Sequence, residues 1–351
     1  MGETTAASLD LWREPVRGDY PEPSVFGLSG LHQLHAAKKA GGPRPPISRL
    51  TGMTFVEADE EHTVFEMPAS EWFLSSQDQI SAGPLLMLAD GALGTAVQIG
   101  LPAATPYTTA ELSMTFLQPC PAGGMIRSVG TLVHMGSPLA LSAAWVHDGE
   151  GRPVAHGTSS CYVFAPREDI EPPEAIEPYV EPQEATPDPY LRPLAGETIP
   201  WEVWRTMPGL EILRRQIAGE LPPPPIHHLL GLTLREASEG AATFSMPATE
   251  WLASPFRTIE GGAIAMLAHA AVAIAVTSTL ELGAAYRPVD VKINFLRPVK
   301  PADGELVACG VVTHRGKTLA VANSEVVGPD GKKVATATGS TMILPQRHPS
   351  R

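Results

Sequence analysis

The chain has 351 residues, about twice the length of a typical domain. Its hydrophobic content of 43% and its charged content of 18% are ordinary for a globular protein. The formal charge of −13 argues against the basic surface that a nucleic-acid-binding protein needs. The chain also has no polybasic run suited to a membrane surface. We therefore expect neither a nucleic acid nor a membrane as a partner.

The three cysteines, Cys120, Cys161 and Cys309, lie far apart and form no CxxC pair. Together with the lack of a histidine cluster at metal-ligand spacing, this predicts neither a disulfide framework nor a metal site. The N-terminal sequence MGETTAASLDLWRE lacks the basic and then apolar layout of a signal peptide. The expectation is a cytoplasmic protein without a metal.

In the first half of the chain, two strands are predicted over Thr54–Ala58 and His62–Met67. One long apolar helix follows, from Gly83 to about Ile99, and almost no charge interrupts it, so we expect burial nearly all round. Residues 167–200 then hold nine acids and two bases among many prolines. This segment predicts a stiff, solvated tether.

The second half predicts a short helix over Leu210–Ile217, a proline-rich turn at 221–226, and a second long apolar helix from Gly262 to about Thr279. Four strands with period-two alternation complete it, and Gly and Pro turns separate them. The predicted strands are Val289–Leu296, Glu305–Thr313, Thr318–Val327 and Lys333–Leu344.

The two halves are copies of each other. MPASEW at 67–72 recurs as MPATEW at 246–251, an offset of 179, and the offset becomes 180 where Gly136 matches Gly316. A constant offset over this length predicts an internal duplication. The expected organisation is an N-terminal extension (1–26), a first domain (27–166), an acidic linker (167–205), a second domain (206–345) and a tail (346–351).

Short motifs recur at the same places in both copies. SAGPLLMLADGA at 81–92 places Asp90 nine residues after Ser81, and EGGAIAMLAHAA at 260–271 places His269 nine residues after Glu260. TFLQP at 115–119 matches NFLRP at 294–298, and HRGK occupies 314–317. This pattern resembles PaaI-like acyl-CoA thioesterases of the 4HBT superfamily, which have a hotdog fold.

The resemblance and the apolar helices together predict the α+β class. The expected architecture is two tandem hotdog domains, each a curved antiparallel sheet wrapped around one long central helix. The resemblance implies an acyl-CoA thioesterase that needs no cofactor, because coenzyme A enters as part of the substrate. It also implies a homo-oligomer, a dimer of double hotdogs.

Thioester hydrolysis needs donors for the carbonyl oxygen and a base or nucleophile for the attack. The family pattern brings the helix N-terminus of one domain to the carboxylate of the other. It therefore pairs Asp90, as base or nucleophile, with the Gly261 amide as oxyanion donor, and Gly262 follows. Glycine at a helix N-terminus lets a substrate approach the backbone amides.

The second composite site is unequal to the first. It would join His269 to the Ala82 amide, with Gly83 following, so the carboxylate is gone and the first glycine has become alanine. We expect one working site. His269 itself is a second base, a substrate contact or a core histidine.

Further candidates stand beside this pair. Each has a functional and a plain interpretation: Thr108 and Thr109 orient water or Asp90, or are strand hydroxyls. Ser254 contacts the substrate or is a loop hydroxyl. Glu260 contacts the substrate or is a solvated first-turn acid, and the same two interpretations apply to Ser81, its counterpart in the first copy. Arg315 and Lys317 meet coenzyme A phosphates, or are solvated turn charges.

Two other functions compete with hydrolysis. A hotdog acyl-CoA hydratase or dehydratase would carry an Asp-x-Asn-Pro-x-His signature, which this chain lacks. A non-catalytic acyl-CoA-binding module would explain the degraded motifs of the second site, but it does not explain why Asp90 and the Gly-Gly pair are both kept.

Overall fold

The elements of the first half recur in the second half in the same order. The computed structural model describes residues 11–39, 42–302 and 304–344. The first half contains α1 (Gly30–Lys39), α2 (Pro46–Thr51), β1 (Thr54–Ala58), β2 (His62–Pro68), α3 (Ala82–Gln98), β3 (Tyr107–Phe116), β4 (Met125–His134), β5 (Leu139–His147) and β6 (Pro153–Val163). The second half contains α4 (Trp201–Thr206), α5 (Gly209–Ile217), α6 (Pro225–Leu230), β7 (Thr233–Ser238), β8 (Ala241–Pro247), α7 (Gly261–Thr277), β9 (Ala285–Phe295), β10 (Glu305–Arg315), β11 (Leu319–Val327) and β12 (Lys333–Leu344).

The predicted strands and long helices are all present, with small shifts at their ends. The largest shift is in β9, which begins at Ala285 instead of Val289 because Ala285 pairs with Leu344 at the end of β12. Pro288 does not end this strand, since it lies beside a register shift opposite Thr341. The first ten residues of the predicted N-terminal extension and the predicted tail at 346–351 lie outside the described residues.

The strands of both halves form one antiparallel sheet of twelve strands, in the order β1-β2-β4-β5-β6-β3-β9-β12-β11-β10-β8-β7. The order of the second half mirrors that of the first. The two halves join where β3 pairs with β9, and Ser113 there lies opposite Lys292, its own counterpart at the offset of 179. When two copies are related by a two-fold axis, a residue on that axis lies opposite the equivalent residue of the other copy, and this pairing is the one observed.

The helices α3 and α7 pack against each other and against the strands of their own halves. Nearly every residue of both helices is buried, as the uninterrupted apolar sequence predicted. Within the described ranges, no helix combines the length and the apolar character needed to cross a membrane. The contact between the helices is close enough to involve glycine: a Cβ on Gly83 would lie 2.2 Å from Cγ of Met266, and one on Gly262 would lie 2.5 Å from Cα of Met87.

The acidic linker is only partly a solvated tether. Its side chains are mostly exposed up to Pro187, but Asp188 is 7% exposed and its carboxylate lies 3.1 Å from Nη1 of Arg49. Two further guanidinium groups, of Arg44 and Arg17, lie within 3.5 and 3.8 Å. The tether prediction is therefore wrong from Asp188 onward, because composition does not reveal that three arginines of the first half surround this carboxylate.

Replacing Asp188 by alanine is expected to destabilise the fold by about 3 kcal/mol, since it removes a buried carboxylate that lies within 3.8 Å of three guanidinium groups. The control is Asp169→Ala, which removes the exposed ion pair with Arg167 and should cost less than about 1 kcal/mol. Urea unfolding of both variants measures the difference. Equal losses of stability would show that the linker is not anchored at Asp188.

Candidate active site

Asp90 stands at the contact between the two long helices. It is the ninth residue of α3, its side chain is 8% exposed, and its Oδ2 accepts a hydrogen bond of 2.7 Å from the backbone N–H of Gly262. The donor lies in the first turn of α7, in the other half of the chain. The structure thus brings Asp90 to the N-terminus of the opposite helix. Its second oxygen, Oδ1, is buried and has no hydrogen-bond partner among the described residues.

The surroundings of Asp90 set its charge. Burial raises the pKa of Asp90 to about 6, against the opposing effect of the Gly262 hydrogen bond. At neutral pH the group is therefore mostly ionised yet still able to accept a proton. A carboxylate with a pKa close to the working pH and one free oxygen has the properties of a general base.

Neither position of the Gly261-Gly262 pair has room for a side chain. A Cβ on Gly261 would lie 2.8 Å from Oδ2 of Asp90, so a side chain there would displace the carboxylate. A Cβ on Gly262 would collide with the backbone of α3 at Met87. The amide of Gly261 belongs to the first turn of α7, where backbone N–H groups have no partner within the helix. This amide is therefore placed to donate to a substrate oxygen beside Asp90.

The equivalent position in the other helix has a different character. His269 is 5% exposed, burial lowers its pKa to about 4, and its ring meets that of Phe116 edge-on at a centroid distance of 5.7 Å. It is neutral at pH 7 and packs as a core histidine. At the N-terminus of α3, in the first half, the second amide of the helix, that of Gly83, donates to the capping hydroxyl of Ser81 at 3.5 Å.

The two threonines predicted near the carboxylate do not contact it by a hydrogen bond in the part of the chain described. Thr108 is exposed, and Thr109 is half-buried in β3 opposite Cys161. The preceding residue, Tyr107, donates its hydroxyl to Oε1 of Gln98 at 3.3 Å. Burial raises its pKa well above the usual value, with further contributions from Cys161 and from the charge of Asp90.

Tyr107 belongs to an aromatic group that the sequence analysis missed. Its ring meets that of Phe256 edge-on at 6.0 Å, and Phe256 lies 5.4 Å from Phe26. Phe256 is half-exposed and comes from the loop that precedes α7. A signal was available, since Tyr107 recurs as Tyr286 at the offset of 179.

Ser254 lies in the loop before α7, and its hydroxyl is used within that loop. It accepts from the Phe256 amide at 3.3 Å and lies 3.3 Å from Oγ1 of Thr258. Ser75 accepts from the Gln77 amide at the same distance in the first copy. The repetition of this contact indicates that Ser254 stabilises the loop.

Glu260 is not the solvated first-turn acid that one interpretation expected. It is 7% exposed, and burial raises its pKa well above the usual value, with a further contribution from the charge of Asp90. Its Oε2 is buried without a hydrogen-bond partner among the described residues. Asp90 and Glu260 thus form a pair of buried carboxyl groups on the two sides of the helix contact.

Arg315 and Lys317 lie away from this pair. Nε of Arg315 donates to Oγ1 of Thr279 at 3.0 Å, just beyond the C-terminal end of α7. The helix has 17 residues, so at about 1.5 Å per residue its two ends are about 25 Å apart. Both side chains line an open depression there together with the carboxylates of Glu239 and Glu281. The structure does not bring them to Asp90.

Comparison with known proteins gives the family. A model described as the thioesterase superfamily matches residues 256–335, which include Phe256, Glu260 and the whole of α7. A provisionally assigned esterase of Halobacterium salinarum, VNG_1336C, is 32% identical over 126 residues, 33% of this chain and 82% of that protein. The chain belongs to the thioesterase superfamily. A provisionally assigned esterase of Pseudomonas aeruginosa, PA1618, is 27% identical to this thioesterase over 144 residues, 41% of this chain and 94% of that protein.

Solved structures extend the likeness over most of the thioesterase. The TesB protein of Mycobacterium avium subspecies paratuberculosis has a TM-score of 0.53 at 12% identity, covering 86% of this chain and 98% of that one. A provisionally assigned thioesterase of Novosphingobium aromaticivorans has a TM-score of 0.51 at 16% identity, covering 84% and 98%. These likenesses show the fold and confirm the coarse prediction of a hotdog architecture. The predicted enzyme class, thioester hydrolase, is confirmed by the family.

Proposed function

We propose that this thioesterase hydrolyses acyl-CoA thioesters at one composite site, with Asp90 as base and the Gly261 amide as oxyanion donor. The observation that carries the proposal is the 2.7 Å hydrogen bond from Gly262 to Oδ2 of Asp90. This bond fixes the carboxylate at the N-terminus of the opposite helix and leaves Oδ1 for a water molecule.

The reaction follows from this arrangement. The thioester carbonyl oxygen accepts the Gly261 N–H, where the positive end of the α7 dipole also stabilises developing negative charge. A water molecule donates to Oδ1 of Asp90, attacks the carbonyl carbon, and passes its proton to the carboxylate. The carbon–sulfur bond then breaks, the leaving thiolate takes up the proton from Asp90, which returns to its ionised form, and the free acid is released.

The domain organisation is part of the proposal. We infer two PaaI-like hotdog domains in tandem, over residues 27–166 and 206–345, with the linker at 167–205. This inference is supported by the mirrored strand order and by the pairing of Ser113 with Lys292, the equivalent residue of the second copy. Assembly into a dimer of double hotdogs is the oligomeric state that this arrangement proposes.

One working site is favoured by the difference between the two helix contacts. Asp90 is held by a helix N-terminus, whereas His269 is neutral, packed on Phe116 and faces a helix whose second amide is occupied by Ser81. We propose that the His269 position has become structural. In a fused pair only one of two related sites has to remain active.

Thiol release from a panel of acyl-CoAs tests the function. The panel contains aromatic, branched and straight-chain acyl groups, and an acyl-carrier-protein thioester is compared with the best of them. Release of one thiol per acid formed is the expected result. Binding of acyl-CoA without any release would instead support the non-catalytic binding module.

The pH dependence of the reaction follows from Asp90. Because its pKa is raised to about 6, kcat/KM should rise about tenfold per pH unit below that value, and ionisation of Asp90 should add nothing further above it. An ordinary exposed aspartate would place this rise at about pH 4. Initial rates of thiol release measured between pH 4 and 8 give the midpoint of the rise in kcat/KM. A midpoint near pH 4 would contradict a buried catalytic Asp90.

A further inference from the structure

The first turns of α3 and α7 are capped in different ways. In α3 the Ser81 hydroxyl accepts the second amide of the helix, that of Gly83. In α7 the matching amide, that of Gly262, is given to Asp90, and the N-cap residue Glu260 makes no side-chain cap. The Glu260 carboxyl group therefore does not cap its helix, whereas the Ser81 hydroxyl at the equivalent position does.

Glu260 is nevertheless buried, and it adjoins Gly261, the proposed oxyanion donor, in the chain. Among the described residues, no cationic side chain lowers the pKa of Glu260 or of Asp90. Two further groups that interact with Asp90, Tyr107 and Cys161, also have raised pKa values. Burial raises the pKa of Glu260 well above its usual value, and the charge of Asp90 raises it further. The Gly262 hydrogen bond favours the charged form of Asp90, whereas Oε2 of Glu260 has no hydrogen-bond partner among the described residues.

We propose that Glu260 is a protonated carboxylic acid at neutral pH and donates a hydrogen bond to the thioester carbonyl oxygen, beside the amide of Gly261. This inference rests on the proposed function and assigns that site a second oxyanion donor. The geometry behind it is a buried carboxyl oxygen without a hydrogen-bond partner among the described residues, at the N-terminus of a 17-residue helix. It belongs to the residue before Gly261, whose Cβ position lies 2.8 Å from Oδ2 of Asp90. Glu260 keeps its proton through the reaction, so the transfer from water to Asp90 is unchanged.

The charge state has a physical consequence for the rate. A neutral carboxyl group can donate its O–H to the developing oxyanion, whereas an ionised one would repel it. The pH profile should therefore have a second limb, in which kcat falls as pH rises through the raised pKa of Glu260. At the acidic limb Asp90 gains its charge, and at the alkaline limb Glu260 loses its proton.

The test compares Glu260→Ala with Glu260→Gln, using the acyl-CoA that the unmutated protein hydrolyses fastest. Loss of an oxyanion donor should lower kcat of Glu260→Ala by about 100-fold or more. The glutamine variant still offers an N–H donor, so its kcat should stay within about tenfold and its alkaline limb should disappear. Thermal unfolding of each variant checks the fold. If Glu260→Ala fails to fold, the pH profile of Glu260→Gln decides the test by itself.

A spectroscopic measurement tests the protonation state without turnover. The infrared band of a protonated carboxylic acid should be present in the unmutated protein at pH 7 and absent from Glu260→Gln. A full kcat in Glu260→Ala, an alkaline limb retained in Glu260→Gln, or the lack of this band would overturn the proposal while leaving Asp90 as the base. If the unmutated protein releases no thiol from any acyl-CoA, the proposed function fails, and the role of Glu260 fails with it.

Discussion

Replacing Asp90 by asparagine should lower kcat/KM for the preferred acyl-CoA by about 100-fold or more. The side chain keeps its size and can still accept the Gly262 hydrogen bond, so the helix contact should survive while the base is lost. Thiol release measures the rate, and circular dichroism checks that the fold is intact.

The comparison variant for Asp90→Asn is His269→Asn, at the same position of the other long helix. It should keep kcat/KM within about threefold, because His269 packs on Phe116 and takes no part in the reaction. If both sites worked equally, Asp90→Asn would retain about half of the activity. Collapse in His269→Asn with retention in Asp90→Asn would reverse the assignment.

Gly262→Ala is expected to have the larger effect on stability of the two helix-contact glycine substitutions. Its Cβ would lie 2.5 Å from Cα of Met87, a backbone atom that cannot rotate away, so α3 and α7 must separate. Overpacking of this kind costs about 1–3 kcal/mol, which outweighs the gain of about 1 kcal/mol that alanine brings to a helix. The displaced amide would also no longer hold Oδ2 of Asp90, and thiol release should fall as well.

Gly83→Ala is the matched control, since Gly83 stands at the same place in α3. Its Cβ would lie 2.2 Å from Cγ and 3.1 Å from Cβ of Met266, a buried side chain that can clear it only by changing its χ1 rotamer. Because no backbone atom of α7 is struck, the loss of stability should be about 1 kcal/mol and smaller than that of Gly262→Ala. Urea unfolding measures both variants, and equal destabilisation of the two would show that the helix contact is not tighter at Gly262.

The repeat and the local patterns in the sequence were sufficient to predict the elements of both halves, whereas the pairing of Asp90 with the opposite helix was implied by the resemblance to PaaI-like thioesterases. Long apolar helices and period-two strands depend on local patterns, and the position of Asp90 within the motif depends on spacing. Both kinds of information are present in one sequence. Helix ends and the start of β9 were less well predicted, because they depend on which residue the neighbouring strand offers as a partner.

Other features depend on contacts between distant segments and had no local signal. Glu260 in a helix first turn normally suggests a solvated acid, and only its burial beside Asp90 reverses that interpretation. Asp188 looked like one more acid of an exposed linker, yet it meets arginines about 140 residues away. Arg315 and Lys317 matched a family motif, but the length of α7 separates them from the carboxylate.

We propose that Asp90 and Gly261 act in one site that spans the two halves of the chain, and a double-mutant cycle on thiol release tests this most directly. Asp90→Asn and Gly261→Ala should each lower kcat/KM by at least about tenfold, the latter because its Cβ would lie 2.8 Å from Oδ2 of Asp90. If the two residues act at one site, the double variant should be within about threefold of the slower single variant. Losses that multiply in the double variant would mean that the two residues act independently, and would contradict the composite site.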